Sequence, residues 1–401
     1  MDDLNHSVMN IGTLGHIDHG KTSLTRAMTG IWTDRHSESI KRNMTIKLGY
    51  ADAIIRKCKS DGTYTSREKC PECGGVTEPA MRVSLLDAPG HETLMATAIA
   101  GSSVIDAILF VIAANEPWPM QQTKEHLMII NILGIKNVII VQTKVDIVGK
   151  EAAITHQKQI REFIKGSVIE DAPIVPVMPN MGINLDIIFK MIVEMQRPER
   201  DNAADPLMYI VRSFDINKPG VDLKTIKGGV AGGSLIRGTL KVGDRIEISP
   251  GIKVTKSKKE VYAPIVTVVK SLSNGTDPID VATPGGLVGI STEIDPAFAK
   301  ADGLVGNIVG HVGKTPKATT TITVKYHKLE RDDIPSQHIA DNETMILGIG
   351  TATVLGYIKR AKKDTVEFEL KRPVCIDRDM KIAVMRNIAK RWKLTGYGTL
   401  A

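Results

Sequence analysis

The segment from Gly15 to Thr22, GHIDHGKT, constrains the fold of this chain more than any other. It matches the pattern G-x-x-x-x-G-K-[ST], follows the apolar run MNIGTL and precedes a helix-patterned stretch. Glycines let successive backbone N–H groups turn inward around phosphate oxygens, and the N-terminus of the next helix adds its positive end. The motif therefore predicts a strand–loop–helix unit that binds the phosphates of a nucleotide.

This phosphate loop supplies the first predicted ligands. Lys21 is expected to contact the outer phosphates, and the Thr22 hydroxyl is expected to ligate Mg²⁺. His19, Gly20 and Ser23 surround these two residues and are predicted to line the phosphates.

A second motif, D-x-x-G, lies in the segment LLDAPGHE. Asp87 ends an apolar strand pattern and is expected to reach the Mg²⁺ shell through water, while the Gly90 amide faces the gamma-phosphate. His91 follows and is predicted to orient an attacking water. Thr45 lies in the polar segment ESIKRNMTIKLGYADA, where a mobile loop would bring it to Mg²⁺ only when the third phosphate is present. These residues predict a nucleotide-dependent switch.

The run VIIVQTKVDI predicts a site that reads the nucleotide base. Asp146 can accept hydrogen bonds from N1–H and the 2-amino group of guanine, and the Lys144 stem can lie along the base. Adenine has no 2-amino group and presents a lone pair at N1, so a carboxylate facing that edge stays unpaired. The pattern therefore favours guanine.

Two positions depart from what such a base site normally carries. Thr143 stands where an asparagine is usual, and its single hydroxyl predicts a loss of about 1 to 3 kcal/mol in nucleotide affinity. Met178-Pro179 stands where Ser-Ala normally offers backbone N–H groups to guanine O6. Proline has no N–H, so in this register one donor is missing unless Asn180 substitutes for it.

Three of the four cysteines lie within the segment CKSDGTYTSREKCPEC. Cys70 and Cys73 form one half of a zinc knuckle, and Cys58 with Asp61 stands in place of the other half. Three thiolates and one carboxylate can bind Zn²⁺, although structural sites favour thiolate and imidazole. Reduced loop cysteines without metal are the alternative interpretation. Cys375, in an alternating strand pattern, is expected to pack in a core.

The pattern of apolar residues changes along the chain and predicts three domains. Residues 1–200 alternate strand and helix signals, which indicates a mostly parallel sheet covered by helices, with a cysteine-containing insertion at about 55–76. A polar, proline-bracketed linker follows at 197–206. Beyond it, short alternating strands with glycine and proline turns predict two all-β barrels, 206–318 and 319–401.

Composition excludes several function classes. A length of 401 residues exceeds one ordinary core. No apolar stretch is long enough to span a membrane and the first residues are polar, so we expect a cytoplasmic protein without a membrane partner. Aromatic residues are only 4%, which argues against a base-stacking platform.

Lys and Arg exceed Asp and Glu by seven, mainly in 253–260, 359–364 and 386–393. These segments either face phosphates or form a solvated basic surface.

Motifs spread over nearly the whole chain carry a family resemblance. In order they are GHIDHGKT, RNMTIKLGYADA, DAPGHETLMA, AANEPWPMQQTKEH, RSFDINKPG, KGGVAGGSLIRGTLKVGD, PGGLVGIST and RWKLTGYG. The sequence resembles the gamma subunit of archaeal and eukaryotic translation initiation factor two. The resemblance implies a P-loop GTPase domain followed by two barrels, as in elongation factor Tu, with GTP, GDP and Mg²⁺ as ligands and slow GTP hydrolysis. It further implies methionylated initiator tRNA, alpha and beta subunits and the small ribosomal subunit as partners.

The resemblance also implies roles for individual residues. Asp18 and Thr45 are switch-side residues beside Mg²⁺, and with the water-positioning His91 they form the predicted catalytic set. Asn43 and Tyr50 adjoin the methionyl-adenosine pocket of this family, although Tyr50 equally fits a packing role. In members that bind zinc, a cysteine stands at the position of Asp61.

Two other functions fit parts of the sequence. One is a tRNA-binding scaffold whose altered base pocket no longer controls it, and the intact phosphate-side residues argue against it. The other is an elongation-type carrier of aminoacyl-tRNA, which shares the architecture. The motif RSFDINKPG favours the initiation subunit.

Overall fold

The computed structural model describes residues 6–33, 49–87, 104–218, 220, 222–256, 259–275, 277–329, 331, 339–362, 364–377 and 380–401. The chain divides into two compact units, one formed by 1–98 with 105–199 and the other by 99–104 with 200–401. The predicted residues Asn43, Thr45, Gly90 and His91 lie outside the described residues.

The first unit contains a seven-stranded sheet in the order β3-β2-β4-β1-β5-β6-β7. Strands β4, β1, β5, β6 and β7 run parallel, whereas β2 pairs antiparallel with both β3 and β4. The strands are β1 (Asn10–Leu14), β2 (Gly49–Cys58), β3 (Tyr64–Thr65), β4 (Thr77–Asp87), β5 (Ala107–Ala113), β6 (Val138–Thr143) and β7 (Ile174–Pro176).

Helices pack against this sheet because its central strands are apolar on both faces. Every residue of β1, β5 and β6 is buried, as two-sided burial of a parallel sheet requires. The described helices are α1 (Lys21–Thr29), α2 (Gln121–Leu133), α3 (Val145–Val148), α4 (Lys150–Phe163) and α5 (Leu185–Glu194), with a 3-10 turn at Pro179–Met181. The predicted α/β domain with a mostly parallel sheet is confirmed.

The register of the sheet brings distant motifs to one edge. Thr13 of β1 pairs with Asp87 of β4, and Ala113 of β5 pairs with Thr143 of β6. These residues lie at or next to the carboxyl ends of parallel strands, where ligands of open α/β sheets bind. The phosphate motif and the base motif therefore meet at this edge.

The second unit is all-β apart from short helical turns, as predicted. Its first part is an eight-stranded antiparallel sheet with a small two-stranded sheet, and its second part is a closed six-stranded barrel. Each part has its own apolar core. The strands of the first part are β8 (Leu207–Phe214), β9 (Val230–Arg237), β10 (Leu240–Lys241), β11 (Arg245–Lys256), β12 (Lys259–Val268), β13 (Ser271–Asn274), β14 (Asp277–Ile279), β15 (Val281–Ala282), β16 (Leu287–Ser291) and β17 (Ile308–His311).

The closed barrel has the order β18-β21-β20-β19-β22-β23. Phe368 is fully buried at its centre, and Cys375 is buried with its thiol donating to the Ser249 hydroxyl at 3.3 Å. The strands are β18 (Ala318–Lys328), β19 (Thr344–Ile349), β20 (Ala352–Ala361), β21 (Thr365–Cys375), β22 (Ile382–Ile388) and β23 (Arg391–Leu400). Within the described residues, we find no helix with the length and apolar character needed to cross a membrane.

Two adjacent glycines of β9 should differ sharply in their tolerance of a side chain. A Cβ at Gly233 would lie 1.9 Å from the Tyr209 carbonyl oxygen, whereas the nearest atom to a Cβ at Gly232 is 3.6 Å away. We expect Gly233→Ala to lower the free energy of unfolding of the second unit by about 1–3 kcal/mol, and Gly232→Ala to change it much less. Calorimetric unfolding measures both variants, and equal destabilisation would contradict the packing described for β9.

Candidate guanine-nucleotide site

Glycine conformations shape the loop between β1 and α1. Gly20 has a φ of 89° and ends the loop immediately before Lys21, the first residue of α1. A Cβ at Gly15 would lie 2.2 Å from the Val111 carbonyl oxygen, so the loop can approach β5 only with glycine there. Asp18, exposed at the tip, also has a positive φ of 60°. The phosphate loop predicted from the sequence therefore forms directly between a buried strand and a helix N-terminus.

Lys21 is a buried cation inside this loop. Its Nζ donates to the His16 carbonyl oxygen at 2.7 Å, and burial lowers the pKa of the amine to about 8, although Asp87 and Asp18 raise it in part. Partial desolvation of an ammonium group is costly unless negative charge approaches it. Phosphate oxygens supply such charge, so the environment of Lys21 suits a nucleotide.

Three hydroxyl groups bind the fully buried carboxylate of Asp87. Thr13 Oγ1 donates to Oδ1 at 3.0 Å, and Thr22 Oγ1 and Thr33 Oγ1 donate to Oδ2 at 2.7 and 2.8 Å. In the described part of the chain no Lys or Arg side chain forms an ion pair with Asp87. A buried carboxylate beside a threonine hydroxyl is a hard oxygen donor set, and this chemistry fits Mg²⁺.

Sequence reasoning found Asp87 and Thr22 but missed Thr13 and Thr33. Thr13 follows from the register, because it lies opposite Asp87 on the neighbouring strand. Thr33 lies outside every motif, and only the folded chain brings it to the carboxylate. When bound, Mg²⁺ would neutralise charge on the phosphate oxygens during phosphoryl transfer.

Thr143 connects the base loop to the phosphate loop. It is buried at the end of β6, and its Oγ1 donates to the His19 carbonyl oxygen at 2.6 Å. An asparagine amide at this position could both connect this loop to the phosphate loop and contact the base. The structure shows that the threonine hydroxyl makes the first of these connections.

The other residues of the base motif surround the start of α3. Lys144 precedes this helix with a positive φ of 58°, and its Nζ lies 3.9 Å from a carboxylate oxygen of Glu116. Asp146 lies in the first turn and is exposed. Glu116 was not predicted, since it lies in the segment after β5 and meets Lys144 only through the pairing of β5 with β6.

The Met178-Pro179 turn uses its own backbone groups. The Met178 N–H donates to the Ile183 carbonyl oxygen at 3.3 Å, and Pro179, which has no N–H, begins the 3-10 turn. Asn180 is exposed in this turn. In this turn the Met178 N–H is therefore engaged within the chain, and Pro179 has no N–H to offer.

Two buried histidines lie near the phosphate loop, and burial keeps them neutral. Burial lowers the pKa of His19 and of His126 to about 3 in each case. His19 contacts the Val111 carbonyl oxygen at 3.1 Å, and His126 is fully buried on α2. Their imidazoles therefore do not act as cationic phosphate ligands near neutral pH. Sequence reasoning did not single out His126.

The cysteine segment folds at the end of β2 and the start of β4. The ligand atoms of Cys58, Asp61, Cys70 and Cys73 all lie within 4.8 Å of one another. Cys58 Sγ and Cys73 Sγ are 3.5 Å apart, and the Cys70 thiol donates to Asp61 Oδ2 at 3.5 Å. Backbone N–H groups donate to two of the sulfurs, from Ser60 to Cys58 and from Gly75 to Cys73. The fold thus brings the two halves of the predicted knuckle together as a four-ligand cluster.

Comparisons with known proteins agree with this geometry. The Elongation factor Tu GTP binding domain matches residues 6–198, Elongation factor Tu domain 2 matches 228–315, and the C-terminal domain of initiation factor eIF2 gamma matches 320–400. The chain is 48% identical over 398 residues to the translation initiation factor 2 subunit gamma of Methanocaldococcus jannaschii, covering 98% of this chain and 97% of that protein. The same subunit of Pyrococcus furiosus is 46% identical with the same coverage. The chain belongs to the family of translation initiation factor 2 gamma subunits.

Membership of the gamma-subunit family confirms the resemblance predicted from the motifs. The chain is a GTP-binding translation initiation factor, and it hydrolyses GTP as members of the translational GTPase family do. GTP and GDP are accordingly its nucleotides.

Solved structures share the fold of this gamma-subunit chain. Bacterial selenocysteine-specific elongation factor EF-Sec aligns with a TM-score of 0.74 at 23% identity, over 98% of this chain and 58% of that one. Elongation factor SelB from Methanococcus maripaludis, in complex with the GTP analogue GppNHp, aligns with a TM-score of 0.74 at 20% identity, over 99% of this chain and 79% of that one. At these identities the likeness concerns the fold.

Removing the Thr143 hydroxyl should weaken nucleotide binding through the phosphate loop. Thr143→Val leaves the buried His19 carbonyl without this donor, and we expect GDP affinity to fall by about 1–3 kcal/mol. Thr143→Ser keeps the hydroxyl and is the matched control. Titration with fluorescent GDP measures both, and equal affinities for the valine and serine variants would refute the role assigned to this hydrogen bond.

Proposed function

We propose that the chain is the GTP-dependent carrier of methionylated initiator tRNA and delivers it to the small ribosomal subunit together with alpha and beta subunits. The observation that carries the proposal is the near full-length similarity to gamma subunits of translation initiation factor 2. The intact phosphate end of the nucleotide site supports control of the carrier by GTP. A cytoplasmic location follows from this function.

The proposed nucleotide contacts follow the geometry of the site. Lys21 contacts the outer phosphates, and Thr22 ligates Mg²⁺ with Asp87 in the surrounding shell. His19, Gly20 and Ser23 line the phosphates. Thr143 acts through its bond to the loop rather than on the base.

At the base end, Asp146 accepts from N1–H and the 2-amino group of guanine, and the Lys144 stem lies along the ring. The Met178 N–H is engaged within its own turn and Pro179 has none, so the exposed Asn180 is the donor that we assign to guanine O6.

We further propose that Asp18, Thr45 and His91 form the catalytic set. Asp18 is exposed at the tip of the phosphate loop, and we assign it to the Mg²⁺ side of the site. Thr45 and His91 complete the set as the second hydroxyl ligand and the water-positioning group. For tRNA, Asn43 and Tyr50 adjoin the methionyl-adenosine pocket, and Tyr50 is partly exposed at the start of β2.

The division into domains is proposed as 1–200, 206–318 and 319–401. The ranges of the three matching family models support it. The separate apolar cores of the two β-rich parts support the boundary near residue 318.

We also propose that Cys58, Asp61, Cys70 and Cys73 bind Zn²⁺. The four ligand atoms lie within 4.8 Å of one another, and the hydrogen bonds that backbone N–H groups donate to Cys58 and Cys73 favour their thiolate forms. Zinc would hold the ends of β2 and β4 together.

Two other functions fit this chain less well than the carrier does. In a nucleotide-independent tRNA scaffold, nothing would require an ammonium group as buried as that of Lys21. An elongation-type carrier shares the fold, and the 46–48% identity to initiation subunits supports initiation instead.

Changing the base specificity tests whether the nucleotide controls tRNA binding. In Asp146→Asn the amide can donate to the 2-oxo group of xanthine, so we expect the variant to prefer xanthine over guanine nucleotides. It should bind initiator methionyl-tRNA in the presence of XTP but not GTP, whereas the unchanged chain should show the reverse. Filter binding with labelled tRNA measures this.

The same assay separates the competing functions. Equal tRNA binding with GTP, GDP and no nucleotide would establish the scaffold. Equal competition by elongator methionyl-tRNA would establish the elongation-type carrier.

The zinc site predicts a metal content that depends on the cluster. After dialysis against a weak chelator, the unchanged chain should retain a single Zn²⁺ and Cys73→Ser should lose it. Asp61→Cys should retain Zn²⁺ even against a stronger chelator, because thiolate is a softer ligand than carboxylate. Cys375→Ser, in the second unit, is the control and should keep its zinc. Elemental analysis gives the stoichiometry, and an unchanged zinc content in Cys73→Ser would refute the site.

A further inference from the structure

The short segment after α1, residues 30–33, makes a contact at each successive residue. The Gly30 N–H donates to the Arg26 carbonyl oxygen at 2.7 Å, and the Ile31 N–H donates to Thr29 Oγ1 at 3.0 Å. The guanidinium carbon of Arg26 lies 5.5 Å from the centre of the Trp32 ring. The segment is therefore directed from the end of α1 towards the sheet, where Thr33 reaches Asp87.

Thr33 and Thr22 bind the same oxygen of Asp87. A carboxylate oxygen has two lone pairs, and Oδ2 accepts from Thr22 at 2.7 Å and from Thr33 at 2.8 Å. The other oxygen, Oδ1, faces β1 and accepts from Thr13. The Oδ2 side, next to Thr22, is therefore fully engaged by two hydroxyl groups.

Gly49 makes room for this contact. It is the first residue of β2 and pairs directly with Asp87 across the sheet. A Cβ at Gly49 would lie 2.8 Å from the Thr33 Cβ and 3.2 Å from the Thr33 carbonyl oxygen. Any larger residue at this position would push Thr33 away from the carboxylate.

We infer that Thr33 is a positioning residue that opposes Mg²⁺ at Asp87. This inference rests on the proposed nucleotide site, in which Thr22 and Asp87 would hold Mg²⁺, Asp87 through water. Thr22 could keep its hydrogen bond to Asp87, but Asp87 would have to offer the Oδ2 lone pair that Thr33 occupies. Binding of Mg²⁺ must break the Thr33 bond, and that cost lowers the affinity for the metal.

The test measures dissociation of fluorescent GDP from the full chain over a range of Mg²⁺ concentrations. Thr33→Val keeps the shape of the side chain but lacks the hydroxyl. We expect it to lower by about tenfold the Mg²⁺ concentration at which half of the bound GDP is retained. Gly49→Ala should shift it in the same direction by displacing Thr33. Thr33→Ser keeps the hydroxyl and should match the unchanged chain, and GDP dissociation in excess EDTA should be alike in all four proteins.

The outcomes separate this inference from the proposed function. If the unchanged chain retains GDP in a Mg²⁺-dependent manner but Thr33→Val has the same or a higher Mg²⁺ requirement, the role of Thr33 is overturned and the nucleotide site stands. If the unchanged chain shows no guanine selectivity or no response to Mg²⁺, the proposed site and the role of Thr33 are both overturned. A shift in Thr33→Val that also occurs in Thr33→Ser would overturn the hydroxyl as its cause.

Discussion

Burial of the Lys21 ammonium group is the constraint on which the nucleotide site depends. A desolvated cation requires nearby negative charge, and Asp87 and Asp18 offset in part the lowering of the Lys21 pKa by burial. The rest of the site is organised around this need. The parallel sheet places the buried Asp87 carboxylate next to Thr22 in the first turn of α1. The nucleotide completes an electrostatic arrangement that the chain leaves incomplete.

At the base end, the hydrogen bond that joins the two loops is present, but fewer backbone N–H groups are available to contact the base. Thr143 ties its strand to the phosphate loop through one short hydrogen bond, so phosphate and base ends remain mechanically coupled. The Met178-Pro179 turn closes on its own backbone. In the proposed site, recognition of guanine depends mainly on Asp146, an exposed carboxylate in a one-turn helix.

How much the sequence predicts depends on how local each feature is. The phosphate loop is contiguous, and its glycines encode its conformation, so strand, loop and helix were predictable together. Asp87 and Thr143 are far apart in sequence, but parallel strands end at one edge of a sheet, so their common location followed from the fold class. Thr33, Glu116 and His126 carry no local signal, because each reaches the site through tertiary packing. The spacing of Cys58, Asp61, Cys70 and Cys73 was enough to predict that the four residues converge. We find no structural reason why position 61 carries an aspartate and not a cysteine.

The strand β2 connects the two most chemically distinctive parts of the first unit. Gly49 at one end lies opposite Asp87, and Cys58 at the other end lies in the cysteine cluster. A slip of one residue in the β2–β4 pairing would move a side chain into the space that Gly49 leaves open, and every residue of β2 would face the wrong side of the sheet. The β2–β4 pairing changes register between Ile55 and Arg56, so this irregularity separates the cluster from the part of the strand that faces Asp87. The stretch from Gly49 to Ile55 alone therefore sets which residue lies opposite the carboxylate, and the cluster can move with its own end of the strand without disturbing that pairing.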